Sequence, residues 1–385
     1  MASGPAFETM AEHRRVFDQI WTQLPEQQNR TSSSWWFFIL FPDGEEGYGP
    51  RQLMFSIAAR VGDELSVNDV PVQGMDLDRP TDDGVDEFGA VSVGWDGDDE
   101  GVDEHVVRQP AEATLSDEGF IEAWAESDDG TRRGSEIRAS ENRPLGLDAH
   151  FVGEKGEARF EAWGDLDCQI SSPHHSLNID TVAGGIDIVA WRRMDFEGEF
   201  DLPKGRETLT GKCYFQRVCL NMPLHPWKWV WAIFPDGTAF SVMIPFLGPQ
   251  LLRRGYRFLP SNVLERATVP VRQNGLWDWG TSEPAVDFDT ASVTPILHSD
   301  THPEFEVRAR NDQGDFVEFV ASPYGHARNH IDRPVLGDRL ESHWSYNEYL
   351  IRMRDLEGRI GDTAVSSETM GQAFGTLEYS WGMGL

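Results

Sequence analysis

The sequence predicts an all-β protein that is organised as two similar halves. Short runs of alternating polar and apolar residues fill most of the chain, and turn sequences such as Pro42-Asp-Gly44 and Asn274-Gly275 separate them. The chain also contains 37 glycines and 22 prolines, a density that long helices would not tolerate. These observations favour a β-sandwich or a β-barrel.

One helix is expected before the strands begin. Apolar residues recur at near-helical spacing between Glu8 and Gln28, starting with Met10 and ending with Leu24. We therefore assign residues 1–30 to an N-terminal helix.

An internal repeat defines the two halves. Trp36 opens the block Trp-Phe-Phe-Ile-Leu-Phe-Pro-Asp-Gly, and Trp229 opens the block Trp-Val-Trp-Ala-Ile-Phe-Pro-Asp-Gly. A Phe-Ser-aliphatic strand start follows each block, at Phe55 and at Phe240. Because an aromatic strand, an identical turn and a matching return strand recur in the same order, we predict a duplicated β-unit.

The boundary between the units is placed beside Leu202, where charged and turn residues separate two apolar runs. The first unit then spans residues 31–202 and the second spans residues 203–385. An acidic, glycine-rich stretch in the first unit, Asp76–Glu104, is interpreted as an exposed insertion loop.

The charge of the chain excludes several classes of partner. It contains 65 acidic and 33 basic residues, which gives a formal net charge of −32. Nucleic acids and anionic membranes would repel such a surface. Only four of the basic residues are lysines, and a high-salt cytoplasm favours an acidic surface with few lysines. We therefore expect a cytoplasmic protein from a halophile, without an integral membrane segment and with an oligomeric state left open.

The segment before the second copy of the repeat has the most unusual composition. On a strand, Trp227, Trp229 and Trp231 share one face, so that three indoles form a wall. Such a wall suits a hydrophobic core or the cavity for a large apolar ligand. Lys228 lies between two of these tryptophans and is expected to contact an anion or to lie on the outer face.

At these positions the sequence resembles a known superfamily. The similar segments are the His-Pro-Trp-Lys-Trp run that begins at His225, the duplicated aromatic block with its Asp-Gly turn, and the run Gly375–Gly382. They resemble the lipocalin-like superfamily of carotenoid 1,2-hydratases (hydroxyneurosporene synthases), AttH-like proteins and tocopherol-cyclase-like enzymes. The resemblance implies tandem lipocalin-like antiparallel β-barrels that enclose a hydrophobic small molecule, an isoprenoid or another lipid.

The resemblance also implies roles for individual residues. The hydratases have a His-x-Trp pair, which His225 and Trp227 resemble. This implies a proton-donor or donor-orienting role for His225 and a cation-stabilising role for Trp227. The hydratases also have a Tyr-x-Asp pair on the next strand, and here that place reads Phe240-Ser-Val242, which lacks the acid.

Other residues complete the candidate site. Asp187 and Glu378 are acids that could take the missing role, although each lies on the strand face opposite its apolar neighbours and could equally face solvent. Tyr214, Trp36 and Trp229 are expected to line the site. The spacing of the histidines and cysteines predicts no metal site, and neither a phosphate-binding loop nor any other cofactor motif occurs.

Two classes of function follow from these predictions. An enzyme with this site would catalyse acid-assisted hydration, cyclisation or isomerisation of a C=C bond without a cofactor. Protonating an alkene requires an acid whose pKa is raised by burial, and the resulting cation requires aromatic faces nearby. The alternative is a non-catalytic carrier of an apolar ligand, or a structural protein whose barrels are filled by side chains.

Overall fold

The computed structural model describes residues 10–21, 33–45, 47–60, 65–72, 85–126, 130–164, 174–181, 184–220, 224–255, 257–258, 262–280, 285–296, 302–335 and 339–383. The helices are α1 (Met10–Asp18), α2 (Asn262–Arg266) and α3 (Ser367–Met370), with short 3-10 turns at Gln19–Trp21 and Pro249–Leu252. None of the helices in these ranges is long and apolar enough to cross a membrane.

The strands of the first half are β1 (Ser33–Gly44), β2 (Gly47–Tyr48), β3 (Gln52–Arg60), β4 (Leu65–Val67), β5 (Val70–Val72), β6 (Val85–Gly97), β7 (Val102–Ser116), β8 (Phe120–Glu126), β9 (Arg132–Ala139), β10 (Leu147–Gly153), β11 (Gly156–Gly164), β12 (His174–Thr181), β13 (Gly184–Leu202) and β14 (Gly205–Leu220). Those of the second half are β15 (Trp227–Ile233), β16 (Ala239–Leu247), β17 (Val269–Pro270), β18 (Asn274–Asp278), β19 (Val286–Phe288), β20 (Thr290–Ile296), β21 (Glu304–Arg310), β22 (Phe316–Val335), β23 (Leu340–Ile360), β24 (Thr363–Ser366), β25 (Phe374–Tyr379) and β26 (Trp381–Met383).

The first sheet closes into a ten-stranded antiparallel barrel. Its strand order is β11-β10-β9-β8-β7-β6-β3-β1-β14-β13, and β13 pairs in turn with β11. Alternate residues of a strand point to opposite faces, and on β1 the inward ones are Trp36, Phe38 and Leu40, which are fully buried. The predicted all-β barrel architecture is confirmed.

The second sheet follows the path β19-β18-β16-β15-β25-β23-β22-β21-β20. The single residue Asp289 joins its two end strands, β19 and β20, so that the sheet curls round on itself. It encloses a core of its own, in which Phe240, Trp277 and Phe319 are buried. The short hairpin β4–β5 leaves the first half and pairs with β22.

The chain passes from the first sheet to the second between β14 and β15. β14 pairs with β1 and closes the first barrel, as β25 pairs with β15 in the second sheet. Leu202, where the sequence placed the boundary, ends β13 and lies in the hairpin between β13 and β14. Through its pairing with β1, β14 lies in the first sheet, although it follows the predicted boundary at 202.

The N-terminal helix is short and packs against the first barrel. Val16 and Phe17 of α1 and Ile20 of the following turn are buried with the residues of the barrel core. The indole of Trp36 donates a hydrogen bond to the carbonyl oxygen of Ile20 at 3.0 Å, which ties the helix to β1. The remainder of the predicted helix, to Gln28, lies outside the described residues.

The acidic stretch Asp76–Glu104 is not an insertion loop where the structure describes it. Residues 85–97 form β6, which pairs with β3 on one side and β7 on the other. Val91 and Trp95 of β6 are buried. The many acidic residues at the ends of this strand concealed its alternation of apolar positions, and residues 73–84 lie outside the described ranges.

Candidate functional site

The two copies of the sequence repeat meet where the barrels pack together. The outer faces of β1 and β15 lie against each other, and their aromatic rings are in contact. The ring pairs are Trp35–Trp227, Phe37–Trp229 and Phe41–Trp231, with centroid separations of 6.5, 6.4 and 4.9 Å. We call this surface the inter-barrel face, and it forms a third apolar core between the two barrel interiors.

Two glutamates lie next to each other on this face. Glu348 of β23 and Glu378 of β25 are partners in the antiparallel register, and Trp229 of β15 is the next partner of Glu378. Directly opposed residues on neighbouring strands have their side chains on the same face. Glu348 is 0% exposed and Glu378 is 3% exposed. We call these two residues the carboxyl pair.

Aromatic side chains supply the hydrogen bonds of the carboxyl pair. The indole of Trp227 donates to Glu378 Oε2 at 2.6 Å, and the indole of Trp95, from β6 of the first barrel, donates to Glu348 Oε2. The hydroxyl group of Tyr346 lies within hydrogen-bond distance of Oε1 of both glutamates, at 2.8 Å from Glu348. Among the described residues, no arginine, lysine or histidine forms an ion pair with either glutamate.

This environment favours the protonated form of both acids. Burial raises the pKa of Glu348 to about 7. Burial also raises the pKa of Glu378, and the neighbouring Glu348 adds to the effect, bringing that pKa to about 8. The hydrogen bonds from Trp227 and Tyr346 act in the opposite direction but do not cancel the effect of burial.

The position of Tyr346 between the two carboxyl groups is a second reason to infer that one of them is protonated. The hydroxyl group of Tyr346 has one proton and can donate it to only one carboxylate. For the second contact to be a hydrogen bond, the other carboxyl group must carry a proton and donate it to the tyrosine oxygen. The carboxyl pair with Tyr346 therefore holds at least one acidic proton in a buried position.

Aromatic rings lie between the carboxyl pair and the protein surface. Trp344 stacks on Tyr346 with centroids 5.4 Å apart, and Trp227 lies 4.8 Å from Trp344. Trp35, Trp227 and Tyr346 are partly exposed, whereas the two acids are not. A molecule arriving from this side would contact indole and phenol faces before it reached the carboxyl pair.

Some polar atoms on the inter-barrel face have no hydrogen-bond partner within the described part of the chain. They are the indole nitrogens of Trp231 and Trp344 and the hydroxyl group of Thr376, all of which are buried. Trp231 and Thr376 are register partners on β15 and β25, two residues along from Trp229 and Glu378. Because buried polar groups are nearly always satisfied, this part of the face is suited to a ligand that has a polar group.

Of the seven candidate site residues, the structure brings four to the inter-barrel face: Tyr214, Trp227, Trp229 and Glu378. Tyr214 lies 4.9 Å from Trp229, ring to ring, and Trp227 binds Glu378. His225 is half-buried in the loop directly before β15. The sequence had left open whether Glu378 faces solvent. It does point out of its own barrel, but the first barrel covers it.

Trp36 and Asp187 are not placed with these four. Trp36 points into the first barrel, whereas Trp229, its counterpart in the repeat, points out of the second. Equivalent positions of the two blocks therefore face opposite ways, as happens when strands are offset by an odd number of residues. Asp187 lies on β13 opposite Cys219, and its side chain lies outside the description.

Sequence reasoning missed Glu348, Tyr346 and Trp95. On β23 the residues Trp344, Tyr346, Glu348 and Leu350 share one strand face, so a glutamate interrupts an aromatic and apolar row. That interruption was the available signal. Trp95 gave no such signal, because its contact with Glu348 crosses 253 residues of sequence.

The fold defines a protein of a ten-stranded antiparallel β-barrel and a second, curled antiparallel sheet that pack through an aromatic face. No protein-family model matches the chain, and no curated protein sequence matches it. Within the described residues, no cluster of three or more histidine, cysteine, aspartate or glutamate side chains could hold a metal ion.

Solved structures with a similar fold include a protein assigned as AttH from Nitrosomonas europaea, with a TM-score of 0.46 and 10% identity over 93% of this chain and 96% of that one. Kievitone hydratase from Nectria haematococca has a TM-score of 0.44 and 12% identity over 94% and 92% of the two chains. CghA has a TM-score of 0.49 and 10% identity over 92% and 89%. At these identities the similarity concerns the fold alone.

Proposed function

We propose that the protein binds an apolar, unsaturated small molecule at the inter-barrel face and protonates one of its C=C bonds. The observation that carries this proposal is that the hydroxyl group of Tyr346 contacts the buried carboxyl groups of both Glu348 and Glu378, with no cationic side chain paired to either acid in the described part of the chain. An acid strong enough to protonate an alkene must be kept neutral at working pH, which burial without a counter-charge achieves.

The surrounding rings support the same chemistry. Protonation of an alkene leaves a carbocation, which the faces of Trp227, Trp344 and Tyr346 would stabilise. Attack by water would complete a hydration, attack by a second double bond a cyclisation, and loss of another proton an isomerisation. The proton source in this proposal is the carboxyl pair, and Trp227 orients Glu378 through its hydrogen bond.

We further propose that the ligand is an isoprenoid or a similar polyene. The inter-barrel face offers many aromatic and aliphatic side chains and few polar atoms, which suits a long hydrocarbon better than a sugar or a nucleotide. The partly exposed end at Trp35 and Tyr346 would admit such a chain end-on.

The experiment has two stages. The protein is first purified, and co-purifying small molecules are extracted into organic solvent and identified by mass spectrometry. The ligand found is then incubated with the protein in deuterium oxide. The proposal predicts a product with one deuterium on carbon. A bound ligand that never gains deuterium would identify a carrier instead, and an empty extract with no binding of added polyenes would contradict the ligand site itself.

A further inference from the structure

The inner face of the second barrel holds a second cluster of ionisable groups, separate from the carboxyl pair. Lys228 alternates with Trp227 and Trp229 along β15, so that its side chain points into the barrel and not to the outer face, which was one of the two expectations from the sequence. Its Nζ donates hydrogen bonds to Glu265 Oε2 at 2.6 Å and to the carbonyl oxygen of Val293 at 2.8 Å.

Apolar walls and two further polar side chains enclose this ion pair. Lys228 is 5% exposed, and its Nζ lies 4.9 Å from the ring centroid of Tyr379 and 5.4 Å from that of Phe246. The hydroxyl group of Tyr379 donates to Glu265 Oε1, and Gln250 Nε2 lies 3.5 Å from the same oxygen. Lys228, Glu265, Tyr379 and Gln250 are called the lysine cluster below.

The choice of lysine at this position is unusual for this chain. Only four of its 33 basic residues are lysines. Lys155 and Lys204 are exposed and Lys212 is half-buried, so Lys228 is the one buried lysine. Arginine would hold a carboxylate with a permanent charge, whereas a buried lysine can lose its proton and become a nucleophile. Burial lowers the pKa of Lys228, although the charge of Glu265 opposes the effect.

Two buried polar atoms beside the lysine cluster have no partner in the part of the chain that the structure describes. They are Gln250 Oε1, within the cluster, and the hydroxyl group of Tyr349. The ring of Phe305 contacts both Tyr349 and Tyr379, at centroid distances of 5.4 and 6.2 Å. Polar atoms that are buried but unsatisfied are exceptional, and here they face the same barrel interior as Lys228.

We propose that Lys228 forms a Schiff base with an apolar aldehyde or ketone that enters the second barrel. The carbonyl compound would lie among Phe246, Phe305 and Tyr379, with its polar groups toward Gln250 and Tyr349. This site lies on the opposite side of β15 from the carboxyl pair and works independently of it.

Lys228 and Glu265 can carry out every proton transfer that formation of the Schiff base requires. The ammonium group of Lys228 passes one proton to Glu265 along their hydrogen bond, and the free amine forms a C–N bond with the carbonyl carbon. The carbonyl oxygen takes that proton and becomes a hydroxyl group. A second amine proton, relayed by Glu265, converts it to water, which leaves as the nitrogen lone pair forms the C=N bond. The product is a protonated imine paired with the Glu265 carboxylate, and no redox partner is needed.

The test is reductive trapping on the intact protein with cinnamaldehyde and sodium cyanoborohydride near pH 7. Peptide mapping by mass spectrometry separates the adducts of the four lysines and of the N-terminal amine. Because burial lowers the pKa of Lys228, a larger fraction of its amine is free near pH 7. We therefore expect Lys228 to be labelled faster than each of the other three lysines.

Two variants control for accessibility and folding. In the variant Lys155→Arg, Lys204→Arg, Lys212→Arg, only Lys228 remains, and the fast adduct should persist. In Lys228→Arg, which keeps the charge, the fast adduct should vanish. Labelling of Lys228 no faster than that of the other three lysines in the wild type would overturn the proposal, as would loss of the fast adduct in the triple variant or an undiminished fast adduct in Lys228→Arg.

Discussion

Buried carboxyl groups occur in two kinds of environment in this protein. Asp96 and Asp278 are both 0% exposed, and each is held by cations. Arg51 binds Asp96 at 2.9 Å with Lys204 nearby, and Arg193 binds Asp278 at 2.9 Å. The carboxyl pair is equally buried, but its partners are Trp95, Trp227 and Tyr346, which are neutral.

The comparison shows that burial and charge pairing lead to different chemistry. A buried carboxylate beside a guanidinium group is stabilised in its ionised form and serves the fold. A buried carboxyl group that receives only neutral hydrogen bonds keeps its proton more readily and can give it to a substrate.

The largest effect is expected when the carboxyl pair loses its acid. Glu378→Gln preserves the size of the side chain and can still accept from Trp227, but it has no proton to transfer. General acid catalysis contributes roughly 10²–10⁴-fold, so deuterium incorporation into the ligand should slow by that factor. Glu357→Gln is the control, because Glu357 lies on the same β23 strand as Glu348 and is exposed. Equal rates in wild type and Glu378→Gln would remove this acid from the mechanism.

Removing the cation that pairs with a buried aspartate should lower the stability of the protein. Arg193→Met leaves Asp278 buried without its cation and should lower the free energy of unfolding by about 3–5 kcal/mol. Chemical denaturation measures the change. Glu378→Gln leaves no buried charge behind and should cost much less. A loss in Glu378→Gln as large as that in Arg193→Met would contradict the distinction between the two environments.

The carboxyl pair also makes stability depend on pH in a definite direction. Both acids have folded-state pKa values, about 7 and about 8, above the value of about 4.5 for an unfolded glutamate. The folded state therefore binds more protons, so its stability is full below about pH 4.5 and is lost as pH rises through about 7 to 8. The slope approaches about 1.4 kcal/mol per pH unit for each proton. The double variant Glu348→Gln, Glu378→Gln should fall less steeply than wild type over this range.

The smallest effect is expected at the shared hydroxyl group. Tyr346→Phe removes a hydrogen bond to each acid and should lower the free energy of unfolding by about 0.5–1.5 kcal/mol. The bond that Tyr346 donates lowers the pKa of the carboxyl group that accepts it, so the loss of that bond should move the alkaline limb of activity to higher pH. Tyr214→Phe, whose hydroxyl group donates to Gln216 at 3.0 Å, is the matched control and should not move that limb.

Local pattern predicted the architecture of the chain well. Turn sequences and alternation gave the all-β class, and the repeat gave β1 and β15 as equivalent strands. The sequence of β14 does not show which unit this strand belongs to. Only its pairing with β1 assigns it to the first barrel. The acidic flanks of β6 similarly obscured a strand whose residue Trp95 completes the site.

The candidate site was predictable only in part for a physical reason. Alternation correctly separated Glu378 from Leu377 and Tyr379, and Lys228 from Trp227 and Trp229. It could not say which face is inside, because in a two-barrel protein the outer face of one barrel is covered by the other. Lys228 therefore points into its barrel, Glu378 points outward but is buried, and Glu348 was identified only through its register with Glu378.

The most direct test of the central claim is the protonation state of the carboxyl pair, measured by infrared difference spectroscopy as pH is changed. The account predicts a protonated carboxyl band that persists at about pH 7, disappears as pH rises past about 8 and is absent from Glu348→Gln, Glu378→Gln. If both glutamates were already ionised at about pH 6, with no band lost in the double variant, the proposed acid would not exist.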